Sequence, residues 1–91
     1  MNENMIYDQC IKQFGIESQI NMAIEECGEL IVELAKRDRK INGSNAYSIC
    51  SEIIDVEIMI NQLKLIFFNG LSTPEEIKRA KLINLEGILR E

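Results

Sequence analysis

Apolar residues recur at every third or fourth position along most of the chain, which is the spacing of amphipathic α-helices. One such run consists of Ile20, Ala23, Ile24, Cys27, Leu30, Ile31 and Leu34. No segment alternates apolar and polar residues with the period of two that a half-buried strand requires. The chain is therefore predicted to be an all-α protein of about four helices, a helical bundle folded as a single domain over residues 1–91.

Helix-ending and capping residues predict where the first two helices lie. The first helix is expected over about Glu3–Phe14, with Gly15 ending it. Ser18 is a candidate N-cap for a long second helix that runs to roughly Lys40. Asn42-Gly43-Ser44 then has the composition of a turn between the second and third helices.

Similar residues mark the third and fourth helices. Ser44 or Asn45 is expected to cap a helix from about Ala46 to Phe68, which stops at Asn69-Gly70. The fourth helix starts with a capping box, whose N-cap, first helical residue and reciprocal acid are Thr73, Pro74 and Glu76. Its apolar side carries Ile77, Leu82, Leu85 and Leu89.

The third helix is apolar on two sides. One face carries Ile49, Ile53, Val56, Ile60, Leu63 and Phe67. A second face carries Ile54, Ile58 and Leu65. A helix that is apolar on two sides is buried on two sides, and so short a chain can cover only part of this surface. We therefore expect a homodimer or homotetramer to complete the bundle, with a compact monomer that leaves some apolar surface exposed as the alternative.

Histidine is absent from the chain, and fifteen acidic residues against ten basic ones leave a net charge of −5. The lack of histidine excludes serine–histidine and cysteine–histidine nucleophiles, the usual zinc sites, and ferritin-like di-iron sites, which require Glu-x-x-His. Any chemistry must then be carried out by carboxylates, most simply around a hard cation such as Mg²⁺, with Mn²⁺ as a substitute.

Composition also bears on partners and location. The acidic balance and the short basic run at residues 36–40 argue against a nucleic-acid partner. The most apolar stretch, around Ile53–Phe68, is interrupted by charged residues, so no membrane partner is expected. The N-terminus lacks the pattern of a signal peptide. Three scattered cysteines, Cys10, Cys27 and Cys50, are expected to be small buried residues of a reduced, cytoplasmic protein.

Two acidic pairs are candidates for a metal site, Glu26-x-x-Glu29 on the second helix and Glu52-x-x-Asp55 on the third. A spacing of three places both carboxylates of a pair on one side of its helix. If two antiparallel helices present these pairs to each other, the four carboxylates form an oxygen cage that suits Mg²⁺ and leaves positions for water and phosphate. The alternative is that they belong to solvated helix faces, since chance alone gives about two such pairs in a chain this acidic.

The order and flanking residues of these pairs carry a family resemblance. Ile24-Glu25-Glu26-Cys27-Gly28-Glu29-Leu30 and Ser51-Glu52-Ile53-Ile54-Asp55-Val56-Glu57 resemble the EExxE and ExxD motifs of the MazG-like all-α nucleoside triphosphate pyrophosphohydrolases. The resemblance covers about residues 18–68 and points to the short, single-domain, phage-type members. It implies a Mg²⁺-dependent enzyme that cleaves nucleoside triphosphates between the α and β phosphates, releasing a monophosphate and pyrophosphate.

The resemblance also implies roles for individual residues. Glu26, Glu29, Glu52 and Asp55 correspond to the metal ligands of the family. Glu25 and Glu26 are the expected catalytic acids, and a carboxylate of this kind would help to deprotonate the attacking water. The alternative to an enzyme is a non-catalytic helical dimerisation or regulatory module with the same fold.

Candidate substrate contacts lie outside the acidic motifs. Lys36 and Arg39 could bind phosphate, although basic residues at the end of a helix also offset its dipole. Glu25 either holds a water molecule or pairs with a base such as Lys36. Tyr47 or Phe14 could stack on the nucleobase, with packing in the core as the alternative for each ring.

Overall fold

The computed structural model describes residues 1–37, 43–68 and 73–91. These residues form α-helices and no strand, which confirms the predicted all-α class and the predicted number of helices. The helices are α1 (Glu3–Phe14), α2 (Ile16–Ala35), α3 (Ala46–Phe67) and α4 (Pro74–Leu89). None of these helices is both long enough and apolar enough to cross a membrane.

The antiparallel pair of α2 and α3 is the main packed unit of the chain. Gln19, near the start of α2, contacts Gln62 near the end of α3, whereas Glu33, near the end of α2, contacts Asn45 just before α3 begins. This opposite order of contacts shows that the two helices run in opposite directions. The antiparallel packing thereby places the acidic motif of α2 beside the acidic motif of α3.

Helix α1 packs against both α2 and α3, and Tyr7 is its buried residue. The Tyr7 hydroxyl donates to Oε1 of Glu3 at 2.7 Å and accepts from Nδ2 of Asn61 on α3 at 3.5 Å. The hydrogen bond to Glu3, together with burial, raises the pKa of Tyr7, because both favour the neutral phenol. Tyr7 thus ties the first helix to the third.

A single residue, Gly15, connects α1 to α2. Its φ of 93° and ψ of 152° are open to glycine but strained for a residue with a side chain. Its N–H donates to the Ile11 carbonyl at 2.9 Å, and its own carbonyl accepts from the N–H of Gln19 at 3.1 Å. Gly15 therefore ends one helix and begins the next. Because α2 starts at Ile16, the prediction that Ser18 caps this helix is wrong, and Ser18 lies within its first turn.

Helix α2 ends at Ala35, before the predicted Lys40. The Arg37 guanidinium donates from Nη1 to the Leu34 carbonyl at 2.9 Å, and the Arg37 backbone N–H donates to the same oxygen at 3.3 Å. These bonds satisfy a carbonyl that a further helical turn would otherwise use, so the helix stops there. Residues 38–42 lie outside the described ranges.

Helices α3 and α4 follow their predicted limits closely. Helix α3 ends one residue before the predicted Phe68, and the predicted stop at Asn69-Gly70 lies outside the described ranges. At the start of α4, Oγ1 of Thr73 accepts from the backbone N–H of Glu76 at 3.3 Å, and Pro74 is the first helical residue. The predicted start of the fourth helix is therefore confirmed.

The core of a single chain is thin. Among the described residues, the buried apolar ones are Tyr7, Ala23 and Met59, and two glutamines, Gln19 and Gln62, are also buried. Within the described ranges no large side chain is fully buried. So small a core leaves many large apolar side chains of the described helices exposed.

The exposed surface includes residues that the sequence predicted to be buried. Both apolar faces of α3 are largely open, with Ile53, Ile54 and Leu65 among the exposed side chains. The prediction of buried cysteines is wrong for Cys27 and Cys50, which are exposed. They lie on helix faces that the rest of this chain leaves uncovered. The expected homodimer or homotetramer stays a prediction.

Helix α4 is the most exposed of the four helices. None of its residues is buried, and its predicted apolar side is exposed in the single chain. The helix carries an ion pair on its own surface, in which Arg90 Nη2 lies 3.3 Å from Glu86 Oε2. Near its start, α4 lines a depression together with Lys64 and Phe68 at the end of α3.

Candidate functional site

Three carboxylates meet where α2 faces α3. Glu26 belongs to α2, and Glu52 and Asp55 belong to α3. One oxygen from each of the three lies within 4.8 Å of the other two, and all three residues are half-buried. The spacing of three keeps Glu52 and Asp55 on one side of α3, and the antiparallel packing places Glu26 opposite them.

The charges of this cluster oppose one another. Burial raises the pKa of Glu26, and the charges of Glu29, Asp55 and Glu52 raise it further. The pKa of Glu52 is raised first by burial and then by Glu29, Asp55 and Glu33. Glu29 contributes to the pKa shifts of both Glu26 and Glu52, so the exposed Glu29 carboxyl lies near these two residues. Burial and like charge both penalise the ionised form, so protons or a cation would stabilise the cluster.

Two oxygens of the cluster have no partner. Oε2 of Glu26 and Oε2 of Glu52 are each shielded from solvent and accept no hydrogen bond within the part of the chain that the structure describes. Buried polar atoms are nearly always satisfied, and a carboxylate oxygen is a preferred ligand of Mg²⁺. The donor set therefore fits this cation.

An open depression lies on the α2 side of the cluster. Besides Gly28 and Val32, its lining consists of Glu25, Glu29, Glu33 and Glu52. Glu25 is exposed at the rim and does not belong to the group of three converging oxygens. A Cβ atom added at Gly28 would meet nothing within 4 Å, so the depression is open directly above this residue. It has the acidic lining and free access that a cation with a bound anion would need.

Glu33 and Asn45 are part of this region although the sequence did not single them out for it. Nδ2 of Asn45 donates both to the Glu33 backbone carbonyl at 3.0 Å and to Glu33 Oε2 at 3.1 Å. Ser44 or Asn45 was expected to cap α3, and Asn45 is its N-cap residue. The Asn45 side chain makes no cap hydrogen bond, because it is turned toward Glu33. A signal for Glu33 exists, since it follows Glu29 by four residues and so lies on the same face of α2.

The predicted substrate contacts have different outcomes. Lys36 is exposed directly after α2, within reach of solvent but in no described contact with the cluster. Arg39 lies outside the described residues. Tyr47 is 86% exposed and Phe14 is also exposed, so the core-packing alternative is wrong for both rings in the single chain.

Comparisons of the chain with protein-family models, with curated proteins and with solved structures give no match. The family resemblance of the acidic motifs therefore rests on the motif residues themselves. What the structure adds is their geometry, with acids from both motifs gathered at one place.

Proposed function

We propose that this chain is a Mg²⁺-dependent nucleoside triphosphate pyrophosphohydrolase. The observation that carries the proposal is the convergence of Glu26, Glu52 and Asp55 within 4.8 Å, with two buried oxygens unpartnered. These acids come from the two motifs that resemble those of the MazG-like enzymes. The substrate would be a ribo- or deoxyribonucleoside triphosphate, and the products a nucleoside monophosphate and pyrophosphate.

Glu26, Glu29, Glu52 and Asp55 would hold the cation, for which Mn²⁺ could substitute. When bound, Mg²⁺ supplies neutralisation of charge on the phosphate oxygens and lowers the pKa of nearby water. Three of these residues are half-buried and the fourth is exposed, so the protein provides ligands on one side and leaves the depression open on the other.

The remaining chemistry belongs to the carboxylates. Attack of water on phosphorus forms a P–O bond and breaks the anhydride bond between the α and β phosphates, with pyrophosphate as the leaving group. The proton lost by water passes to a carboxylate, for which Glu25 at the rim and Glu26 in the cluster are the candidates.

Substrate contacts would come from the ends of the helix pair. The exposed Lys36 could bind phosphate, and Arg39 is proposed for the same role from its position in the sequence. Tyr47, whose ring is exposed, could stack on a nucleobase. An enzyme that acts on free nucleotides would be expected in the cytoplasm.

The proposal is tested by supplying the purified chain with Mg²⁺ and each nucleoside triphosphate, canonical and modified, and measuring pyrophosphate release. We expect turnover that is lost with EDTA and reduced at least about a hundredfold in Asp55→Asn and Glu52→Gln. Glu17→Gln is the matched control, because Glu17 is an exposed acid in the first turn of α2 and should leave the rate unchanged. If no triphosphate is hydrolysed by the folded wild type, the enzymatic proposal is wrong.

A non-catalytic dimerisation or regulatory module is the second candidate function. It is favoured by the thin core and by the many exposed apolar side chains of α2, α3 and α4. The two candidates differ in what the acids do. In a module without a metal site, Glu29→Gln and Asp55→Asn would leave thermal stability in Mg²⁺ unchanged and no substrate would be turned over.

A further inference from the structure

Glu33 lines the acidic depression but is not part of the proposed cation site. It lies in the lining together with Glu29 and Glu52, and it is not among the three residues whose oxygens converge. Glu33 follows Glu29 by four residues on α2, which places it about 6 Å further along the helix axis on the same face. Because like charges at this spacing destabilise a helix, an acid at this position does nothing for the stability of α2.

The Glu33 carboxylate is held in place from the other helix by Asn45. Nδ2 of Asn45 donates to Glu33 Oε2 at 3.1 Å and to the Glu33 backbone carbonyl at 3.0 Å. Asn45 is the N-cap residue of α3, where an asparagine side chain usually accepts from a helix N–H, but it makes no such bond. The local preference of Asn45 thus gives way to a contact that orients Glu33, and departures of this kind are typical of functional sites.

The hydrogen bond from Asn45 determines what else Glu33 can bind. A carboxylate offers about four acceptor positions on two oxygens, so the contact with Asn45 leaves capacity for further donors. The amide already offsets part of the charge on Glu33, so a hydroxyl group fits this carboxylate better than a second cation does. In dinucleotide-binding folds an acidic side chain accepts from a ribose hydroxyl in the same way.

The depression has the size and the order of groups that a nucleotide requires. Its volume is about 730 Å³, which falls in the range of about 300–1,000 Å³ that is usual for small-molecule sites. In a nucleotide the sugar is joined directly to the α phosphate, which is the phosphate that the cation would contact. The step of about 6 Å from Glu29 to Glu33 therefore leads from the position of the phosphate to that of the sugar.

We propose that Glu33 accepts a hydrogen bond from a sugar hydroxyl of the nucleotide, and that Asn45 is the positioning residue that orients the Glu33 carboxylate for this contact. This inference rests on the proposed function, since it assigns the sugar of the nucleotide whose phosphates the cation would bind. The contact lies away from the bond that breaks. It contributes to affinity for the substrate and not to the rate of cleavage once the substrate is bound.

The proposal is tested by binding measurements that do not require turnover. The probes are α,β-methylene nucleoside triphosphates of each base, as the ribo, 2′-deoxy and 2′,3′-dideoxy forms, titrated calorimetrically into the full chain in Mg²⁺. We expect the ribo form to bind about tenfold to a hundredfold more tightly than the dideoxy form, because a hydrogen bond to a charged group is lost. The step at which affinity falls, at the 2′-deoxy or at the dideoxy form, identifies the hydroxyl.

Variants then assign this preference to the two residues. Glu33→Ala should bind the ribo and dideoxy forms almost equally, and Asn45→Ala should lose part of the preference. A merely structural defect would weaken both forms alike and leave their ratio unchanged. Asp55→Asn should do just that, because it removes a group that binds the cation and not the sugar. Glu17→Ala, at an exposed acid of α2 outside the depression, is the matched control and should keep both affinities.

Kinetics with hydrolysable triphosphates separate this proposal from the enzymatic one. The dideoxy substrate should raise KM in the wild type with kcat nearly unchanged, and Glu33→Ala should remove this difference. Equal binding of the ribo and dideoxy forms by the wild type, a preference that survives in Glu33→Ala or is complete in Asn45→Ala, or no nucleotide binding at all would each overturn the sugar contact. A wild type that shows the preference in binding but releases no pyrophosphate would contradict the enzymatic proposal alone.

Discussion

Gln19 of α2 donates a hydrogen bond of 2.6 Å from Nε2 to Oε1 of Gln62 on α3, and both side chains are buried. Gln62 also points its Nε2 at the Met59 sulfur, at 3.9 Å. The glutamine pair thus joins α2 to α3 through a hydrogen bond within the small core. Because a hydrogen bond needs both partners at the same level, it also favours one register of the two helices.

Replacement of one member of this pair should destabilise the chain. Gln19→Leu or Gln62→Leu leaves a buried amide without its partner, and we expect a loss of about 1–3 kcal/mol in the free energy of unfolding. The double variant should recover part of that loss, since no buried amide is then unsatisfied. Urea denaturation of the four proteins measures the coupling energy, and Gln13→Leu on the exposed surface of α1 is the control. Additive single effects would show that the pair is not coupled.

The acidic cluster makes stability depend on pH in the absence of a cation. The pKa values of Glu26 and Glu52 are raised in the fold, by burial first and then by neighbouring acids, so the fold favours their protonated forms. The resulting stability is fully present below the ordinary pKa of glutamate and is lost as pH rises through the raised values. In EDTA, the thermal midpoint should therefore fall as the pH rises above the ordinary pKa of glutamate. Glu52→Gln should flatten this fall and Glu17→Gln should not.

Addition of Mg²⁺ at neutral pH should restore the stability that the chain loses as the pH rises. A cation that binds only the folded cluster stabilises it by about 2.7 kcal/mol at a hundredfold excess over its dissociation constant. The thermal midpoint of the wild type should rise with Mg²⁺, and the midpoint of Asp55→Asn should rise much less. An equal rise in Asp55→Asn and the wild type would mean that the stabilisation comes from general screening of charge.

The contact between Asn45 and Glu33 predicts a third effect on stability. Asn45→Ala removes both hydrogen bonds that join the end of α2 to the start of α3, at a cost of about 1–2 kcal/mol. Asn45→Asp should cost more above pH 5, because it places a second carboxylate against that of Glu33. Asn21→Ala, an exposed position on α2, is the control. Chemical denaturation at pH 5 and pH 8 measures the loss of the hydrogen bonds and the added repulsion between the carboxylates.

Replacement of glycine by alanine is expected to destabilise the chain at Gly15 and to stabilise it at Gly87. Gly15→Ala forces a residue with a side chain into a φ of 93°, which costs about 1–3 kcal/mol. Gly87→Ala lies inside α4 with no atom within 4 Å of the added carbon, so it should stabilise the helix by about 0.5–1 kcal/mol. Thermal unfolding of both variants measures the two effects. A Gly15→Ala variant as stable as the wild type would contradict the predicted backbone strain.

The parts of this structure that the sequence predicts are those set by local chemistry. Thr73 and Pro74 start α4 as expected, because a cap and a first-turn proline act on their own segment. Ser18 fails as a cap because Gly15 already turns the chain and supplies the first helical carbonyl. The acids of the two motifs could be named in advance, because their spacing and order are properties of the sequence alone.

Contacts between helices do not follow from the local sequence. Nothing adjacent to Gln19 or Gln62 in the sequence shows that they pair, since the bond depends on the register of α2 against α3. Asn45 is a typical cap residue, and its actual bond to Glu33 depends on how closely the two helix ends approach. In each case the deciding distance is set by tertiary packing.

The turn at Gly15 constrains the number of residues between Tyr7 and the end of α1. Gly15 is the whole connection between α1 and α2, and Tyr7 reaches Asn61 from a fixed helical phase relative to it. One residue inserted or deleted between Tyr7 and Gly15 would turn the Tyr7 side chain by about 100° around the helix axis, away from α3. Between Tyr7 and Gly15, a substitution keeps Tyr7 facing α3, whereas an insertion or deletion of one residue does not.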